Sequence, residues 1–165
     1  MKIQYSVFIL ASLSLSLFGY TFSKANVSSY KNTEKFVTLT NKDRAAYNLN
    51  PLRENKDLDL AAQLKIDDMA ANNYFAHISP QGTTPWYFIK KSGYDYSIAG
   101  ENLALNFGDP AAVENAWIKS TEHRENILNP KFAEIGIAQK EILLQGQRTN
   151  VVVEYFGNSS NFALK

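Results

Sequence analysis

An α+β sandwich is the fold class this sequence predicts, and three observations point to it. Helical spacing with end signals dominates residues 34–121, two β-rich runs flank Gln145-Gly146-Gln147 in the last third, and Val151-Val152-Val153 is apolar on both faces. A strand buried on both faces belongs inside a layered structure with helices on either side. Helices first and an antiparallel hairpin later argue against a doubly wound sheet.

The helices follow from spacing and caps. The first is expected over Glu34–Tyr47, with Phe36, Leu39, Ala46 and Tyr47 on its inner turns and Asn48-Leu49-Asn50-Pro51 ending it. The second starts from the N-cap candidate Asp57 and carries Leu58, Ala62, Ile66 and Met69 at steps of four, four and three. Ala61 and Ala70 beside that stripe allow close packing on a sheet. The third is bracketed by Thr84 as N-cap, Pro85 as first helical residue and Gly93 as stop, and buries Trp86, Phe88 or Ile89. The fourth begins at Asp109-Pro110, puts Glu114 in its first turn, aligns Val113, Ala116, Trp117 and Ser120, and ends near Ser120 or Thr121. Ala133–Ala138 and Asn150–Phe156 are the expected strands of the hairpin.

The N-terminus reads as an export signal. Met1-Lys2 is followed by an uncharged, mostly apolar run from Val7 to Phe22, and Ser23 and Ala25 are small residues suited to cleavage after Ala25. An uncleaved anchor is the alternative for a run of this length. Residues 1–25 are thus assigned to the signal, 26–35 to a polar tether, 36–158 to one domain and 159–165 to a tail. Of 165 residues 140 remain after cleavage, enough for one real core. Lys2 and Lys24 leave with the signal, so 17 basic residues become 15 against 16 acidic ones. A net charge near −1 gives no reason to expect nucleic acid as a partner. There is no cysteine. Thiolate chemistry, disulfides and a thioether-linked lipid are all excluded, and the core alone must hold the domain.

The chain has two histidines, His77 and His123, and each follows the exit of an expected helix. Glu101 sits in Ala99-Gly100-Glu101-Asn102, read as a Gly-flanked bend that aims a carboxylate inward. Two imidazoles and a carboxylate suit a divalent metal such as zinc, with a position left open. Each residue also has a plainer reading. A histidine at a helix end commonly caps or packs, Glu101 could satisfy buried amides, and His123 among Glu122, Arg124 and Glu125 could belong to a surface ion-pair cluster. No His-Glu-x-x-His, Gly-x-Ser-x-Gly or phosphate-binding Gly loop occurs. Ser79 and Ser120 lie near the histidines in sequence, but serines are common and carry little weight. The ten Phe and nine Tyr read as core and cleft walls rather than a nucleobase platform.

Four segments then fall in a familiar order: Met69 through His77 and on to Ser79-Pro80-Gln81-Gly82, Gly100-Glu101-Asn102-Leu103-Ala104, Ala116-Trp117 through His123-Arg124-Glu125-Asn126 to Pro130, and Glu134-Ile135-Gly136-Ile137. From Phe36 to Gly157 the chain resembles the CAP superfamily of cysteine-rich secretory proteins, antigen 5 and plant pathogenesis-related proteins, in its cysteine-free bacterial branch. The resemblance implies a three-layer α-β-α sandwich with a central antiparallel sheet and an open cleft where two histidines and two acids gather and sometimes bind a divalent metal. His77, Glu101 and His123 match three of those four residues. The position expected to hold the second acid, three residues after Trp117, is Ser120 here, and Glu122 is a conjectural substitute. The resemblance names no reaction, because one fold hosts many functions.

Three functions follow as expectations. The first is an exported binding module, secreted or at the cell envelope, that takes a small ligand, lipid, glycan or peptide, with the membrane involved only through export and a monomer as the working unit. The second is a metal-assisted, peptidase-like hydrolase with His77, Glu101 and His123 as candidate catalytic groups. The third is a structural polar network with no ligand.

Overall fold

The structure, a computed structural model, describes residues 30–160. The export signal lies outside the described residues, as do the first part of the tether and most of the tail. In chain order the elements are α1 (Tyr30–Ala46), β1 (Arg53–Glu54), α2 (Lys56–Asn72), α3 (Pro85–Lys91), β2 (Tyr96–Leu105), α4 (Pro110–Lys119), α5 (Thr121–Ile127), β3 (Glu134–Leu144) and β4 (Gln147–Ser159). No helix among the described residues is long and apolar enough to cross a membrane.

One four-stranded sheet in the order β1-β3-β4-β2 forms the middle layer. β3 and β4 make the expected hairpin, Leu144 paired with Gln147, and β2 lies antiparallel to β4 with Glu101 opposite Tyr155 and Asn102 opposite Glu154. The sheet is mixed rather than wholly antiparallel, because β1 pairs parallel to β3 through Arg53–Glu134 and Glu54–Ile135. Two residues are too few to show a strand period. β2 also departs from expectation: Gly100-Glu101-Asn102 lies mid-strand, not in a bend. Its glycine answers to crowding, since a Cβ at position 100 would lie 2.8 Å from Asn126 Oδ1 and 2.9 Å from Phe132 Cζ.

Strand alternation sends β4 side chains to two cores. Val151, Val153 and Tyr155 pack with Leu58, Ala61, Ala62, Ile66 and Met69 of α2 and with Ile89 of α3. Val152 and Phe156 pack on the other face with Phe36 of α1, Val113 and Trp117 of α4 and Ile127 of α5. Each such Val, Leu, Ile, Met or Phe side chain contributes about 1.5–3 kcal/mol on burial. α2 sits almost on β3: a Cβ at Gly136 would be 2.2 Å from the Leu58 carbonyl carbon. The α-β-α layering and α+β class are therefore as the sequence predicts.

Several local expectations change. α1 starts at Tyr30, ahead of Glu34, and its buried stripe is Thr33, Phe36, Thr40 and Arg44, while Tyr47 is 57% exposed. The stripe was hidden because three of its four members are polar; buried Arg44 is satisfied by the carbonyls of Asn50, Ile127 and Asn129. Asn55, not Asp57, caps α2, its Oδ1 accepting from the amides of Asp57 and Leu58. In α3, Phe88 and Ile89 are buried but Trp86 is 39% exposed. Glu114 lies beyond the first turn of α4 and faces the core. α4 stops at Lys119 as expected, but Ser120 both ends it and begins α5, which the polar run Thr121-Glu122-His123-Arg124-Glu125-Asn126 conceals.

Candidate functional site

His77 stands in the loop between α2 and α3, beyond the left-handed Asn73 that ends α2. Lys65 Nζ donates to the His77 carbonyl at 2.7 Å. Ser79 Oγ accepts from the amides of Gln81 at 3.2 Å and Thr83 at 3.0 Å, folding the rest of the loop into a tight turn. Ser79 is thus a turn former, with its hydroxyl oxygen already engaged.

Glu101 projects from the centre of β2 toward the α2 layer, on the same sheet face as Tyr155. Its Oε1 lies 2.6 Å from His77 Nδ1, with the carboxylate side chain 2% exposed and the imidazole 55% exposed. A carboxylate only accepts, so Nδ1 carries a proton, and in the neutral ring Nε2 keeps its lone pair. The Glu101 hydrogen bond is the main reason the His77 pKa is raised above 6.5, with burial and Lys65 opposing it and Glu122 assisting.

His123 belongs to the first turn of α5 rather than to a helix exit. Its Nδ1 meets Ser120 Oγ at 2.8 Å and its ring stacks on Trp117, with centroids 6.5 Å apart and planes at 28°. Its carbonyl accepts from Asn102 Nδ2 at 3.3 Å. Burial lowers its pKa first, and the neighbouring His77 lowers it further. The geometry therefore joins His77 to Glu101 and His123 to Ser120 directly. Among the described residues no group of three or more His, Asp or Glu side chains is arranged to hold a metal ion. Each imidazole has a partner at Nδ1, Glu101 for His77 and Ser120 for His123.

Sequence reasoning missed the supports of this site. Asn126 Nδ2 donates to the Glu101 carbonyl at 3.1 Å and to Asn102 Oδ1 at 2.9 Å, tying α5 to β2. Asn102 Nδ2 reaches buried Glu154 at 3.2 Å. Lys65 is fully buried, and its signal was a charge at the helical step between Ala62 and Met69 in an apolar stripe.

A sequence model described as "Cysteine-rich secretory protein family" (CAP) matches residues 37–155, most of the chain. The chain belongs to the CAP family. This CAP domain is 40% identical over 121 residues to the uncharacterized protein YkwD of Bacillus subtilis, covering 73% of the chain and 46% of that protein. It is 33% identical over 105 residues to the uncharacterized membrane protein YlbC of the same organism, covering 63% of the chain and 30% of that protein. The chain thus spans less than half the length of either relative. Among solved structures, an extracellular SCP-domain protein of Bacillus anthracis superposes with TM-score 0.68 at 28% identity, covering 78% of this chain and 41% of its own. An outer surface protein of Borrelia burgdorferi also reaches 0.68, at 24% identity, covering 79% of this chain and 95% of its own, a likeness of fold. The CAP assignment accords with the cysteine-free sequence and the three-layer architecture.

Proposed function

We propose that this CAP domain is a binding module that works outside the cytoplasm, at the cell envelope or in the medium, and engages its ligand through the imidazoles of His77 and His123. The observation that carries this reading is the 2.6 Å contact between a buried carboxylate and a half-exposed imidazole. Such a pair presents a fixed Nε2 lone pair, which suits a divalent cation such as zinc or a hydrogen-bond donor on a small ligand, lipid, glycan or peptide. The extracellular SCP-domain neighbour supports the location.

The metal-assisted hydrolase reading is weaker because Glu101, its candidate base, is 2% exposed and already bonded to His77 Nδ1 at 2.6 Å, and the parts of a nucleophilic triad are likewise divided between the two histidines. His77 has the orienting carboxylate but no hydroxyl bonded to its ring, whereas His123 has the Ser120 hydroxyl but no carboxylate bonded to its ring. Titrating the purified protein with zinc should show one ion taken up per chain, with no turnover across a panel of peptides, esters and glycans. Turnover that disappears in Glu101→Gln would replace the binding reading with the hydrolytic one. Absence of zinc uptake would remove the metal from it.

A further inference from the structure

A fully buried lysine is costly: several kcal/mol of hydration is lost, and an apolar side chain of similar size would serve a core better. Lys65 is 0% exposed on the face of α2 that otherwise holds Ala61, Ala62, Ile66 and Met69. Its ammonium donates to the His77 carbonyl at 2.7 Å and to the Tyr74 hydroxyl at 3.2 Å. It lies 5.0 Å from the Tyr74 ring centre and 5.3 Å from that of Phe88. The Tyr74 hydroxyl donates to Asp68 Oδ2 at 2.6 Å, so its oxygen is oriented to accept from the lysine.

Burial lowers the Lys65 pKa, and Glu101, ahead of Asp68, opposes that loss by favouring the charged ammonium. Glu101 needs such a cation. Its Oε1 is committed to His77, its Oε2 is buried with no hydrogen-bond partner among the described residues, and the Tyr155 hydroxyl, which bears on the same carboxylate, donates to the Pro85 carbonyl at 3.4 Å. A carboxylate so placed requires a compensating positive charge, and Lys65 supplies it from the same α2 layer while gripping the backbone of His77 itself.

We propose that Lys65 is a positioning residue for the cleft: by compensating Glu101 and holding the His77 carbonyl, it keeps the carboxylate on Nδ1 and so fixes a lone pair, rather than an N–H, at the Nε2 that meets the ligand. This rests on the reading of His77 as a ligand-facing group, and deepens it by making Lys65 decide which ligands are accepted. A cleft with an Nε2 lone pair takes a metal ion or an N–H or O–H donor. With Nε2 protonated the same cleft would favour acceptors.

The test is the tautomer of His77 in the metal-free full chain, read by long-range proton–nitrogen NMR at one pH, about 9, where a neutral imidazole dominates. The wild type should show the Nδ1–H form. Lys65→Met should lose that signature in favour of the Nε2–H form a solvated imidazole prefers, leaving His123 unchanged, and zinc uptake should weaken about tenfold or more. A folded Lys65→Met protein that keeps the Nδ1–H form at His77 overturns the proposal. If Lys65→Met does not fold, Lys65→Met/Glu101→Gln should, because neutralising Glu101 removes the need for the cation. A double variant that also fails makes Lys65 a packing residue and overturns the proposal. Zinc failing to bind the wild type would refute the metal arm of the proposed function and leave this readout intact.

Discussion

Ser120 Oγ meets His123 Nδ1 at 2.8 Å, at the position where the resemblance to the CAP superfamily expects an acid. The hydroxyl orients the imidazole without adding charge, and it does so from the junction where α4 ends and α5 begins. Ser120→Asp should place a carboxylate behind or beside the same ring and tighten zinc binding about tenfold, whereas Ser120→Ala should loosen the ring and weaken it. Isothermal titration at fixed pH distinguishes the two directions, and equal affinities in all three proteins would exclude a role for this position.

The two histidines should titrate on opposite sides of 6.5. His77 is raised chiefly by Glu101, and His123 is lowered chiefly by burial. Because the folded pKa of His77 exceeds the unfolded one, the ion pair's contribution to stability is fully present below about 6.5 and is lost as pH rises through the folded value. Glu101→Gln should bring the His77 titration down and abolish that window, while His123 barely moves. A proton NMR titration of the two ring signals checks both statements.

A second pair of carboxyls, far from solvent on the opposite sheet face, sets an alkaline limit. The Thr40 hydroxyl lies 3.3 Å from Glu114 and 3.1 Å from Glu154 but has a single proton to give, and Glu114 Oε1 is buried without a partner. A carboxyl proton must fill the gap. Burial pushes Glu114 up to about 9, with Glu154 and Asp43 adding to the effect, and pushes Glu154 up to about 8 against the pull of Asn102 and Thr40. The folded state therefore retains protons that the unfolded chain releases above about 4.5, so stability falls as pH rises from there through 8 to 9. Melting curves should move down on going from pH 6 to pH 9, and Glu154→Gln should flatten that decline by about 5 °C at the alkaline end. A wild type as stable at pH 9 as at pH 6 contradicts the retained carboxyl protons.

Gly136→Ala should be among the most damaging single changes outside the site. The added Cβ would meet the Leu58 carbonyl carbon at 2.2 Å and the Asp59 amide nitrogen at 2.4 Å, backbone atoms that move only if α2 lifts from the sheet. A loss of about 1–3 kcal/mol or more is expected in chemical denaturation. Gly108→Ala, where nothing lies within 4 Å of the new atom, should be near neutral.

The layers were legible because they rest on apolar pattern: the α2 stripe, Pro85 and Gly93 around α3, and a β4 buried on both faces. What the sequence hid was polar residues doing interior work. Thr40 and Arg44 disguise the inner face of α1, Glu114 was read as a first-turn acid, and Gly100-Glu101-Asn102 passed for a bend. Most of these partners lie more than twenty residues away, as Glu154 does for Asn102 and Asn126 for the Glu101 carbonyl. No local window can contain such pairs. The site itself was legible mainly through the family resemblance. His77, Glu101 and His123 were identified by motif, but Lys65, which touches His77 through its backbone, has no motif to announce it.

The central claim is that His77 and His123 serve one site, and a double-mutant cycle on zinc affinity tests it most directly. Wild type, His77→Ala, His123→Ala and the double variant would each be titrated at neutral pH. The account predicts that either single change costs at least about tenfold and that the second adds little once the first is made. Independent effects that simply multiply, or a His123→Ala protein that binds as the wild type does, would show that the two imidazoles do not share a ligand.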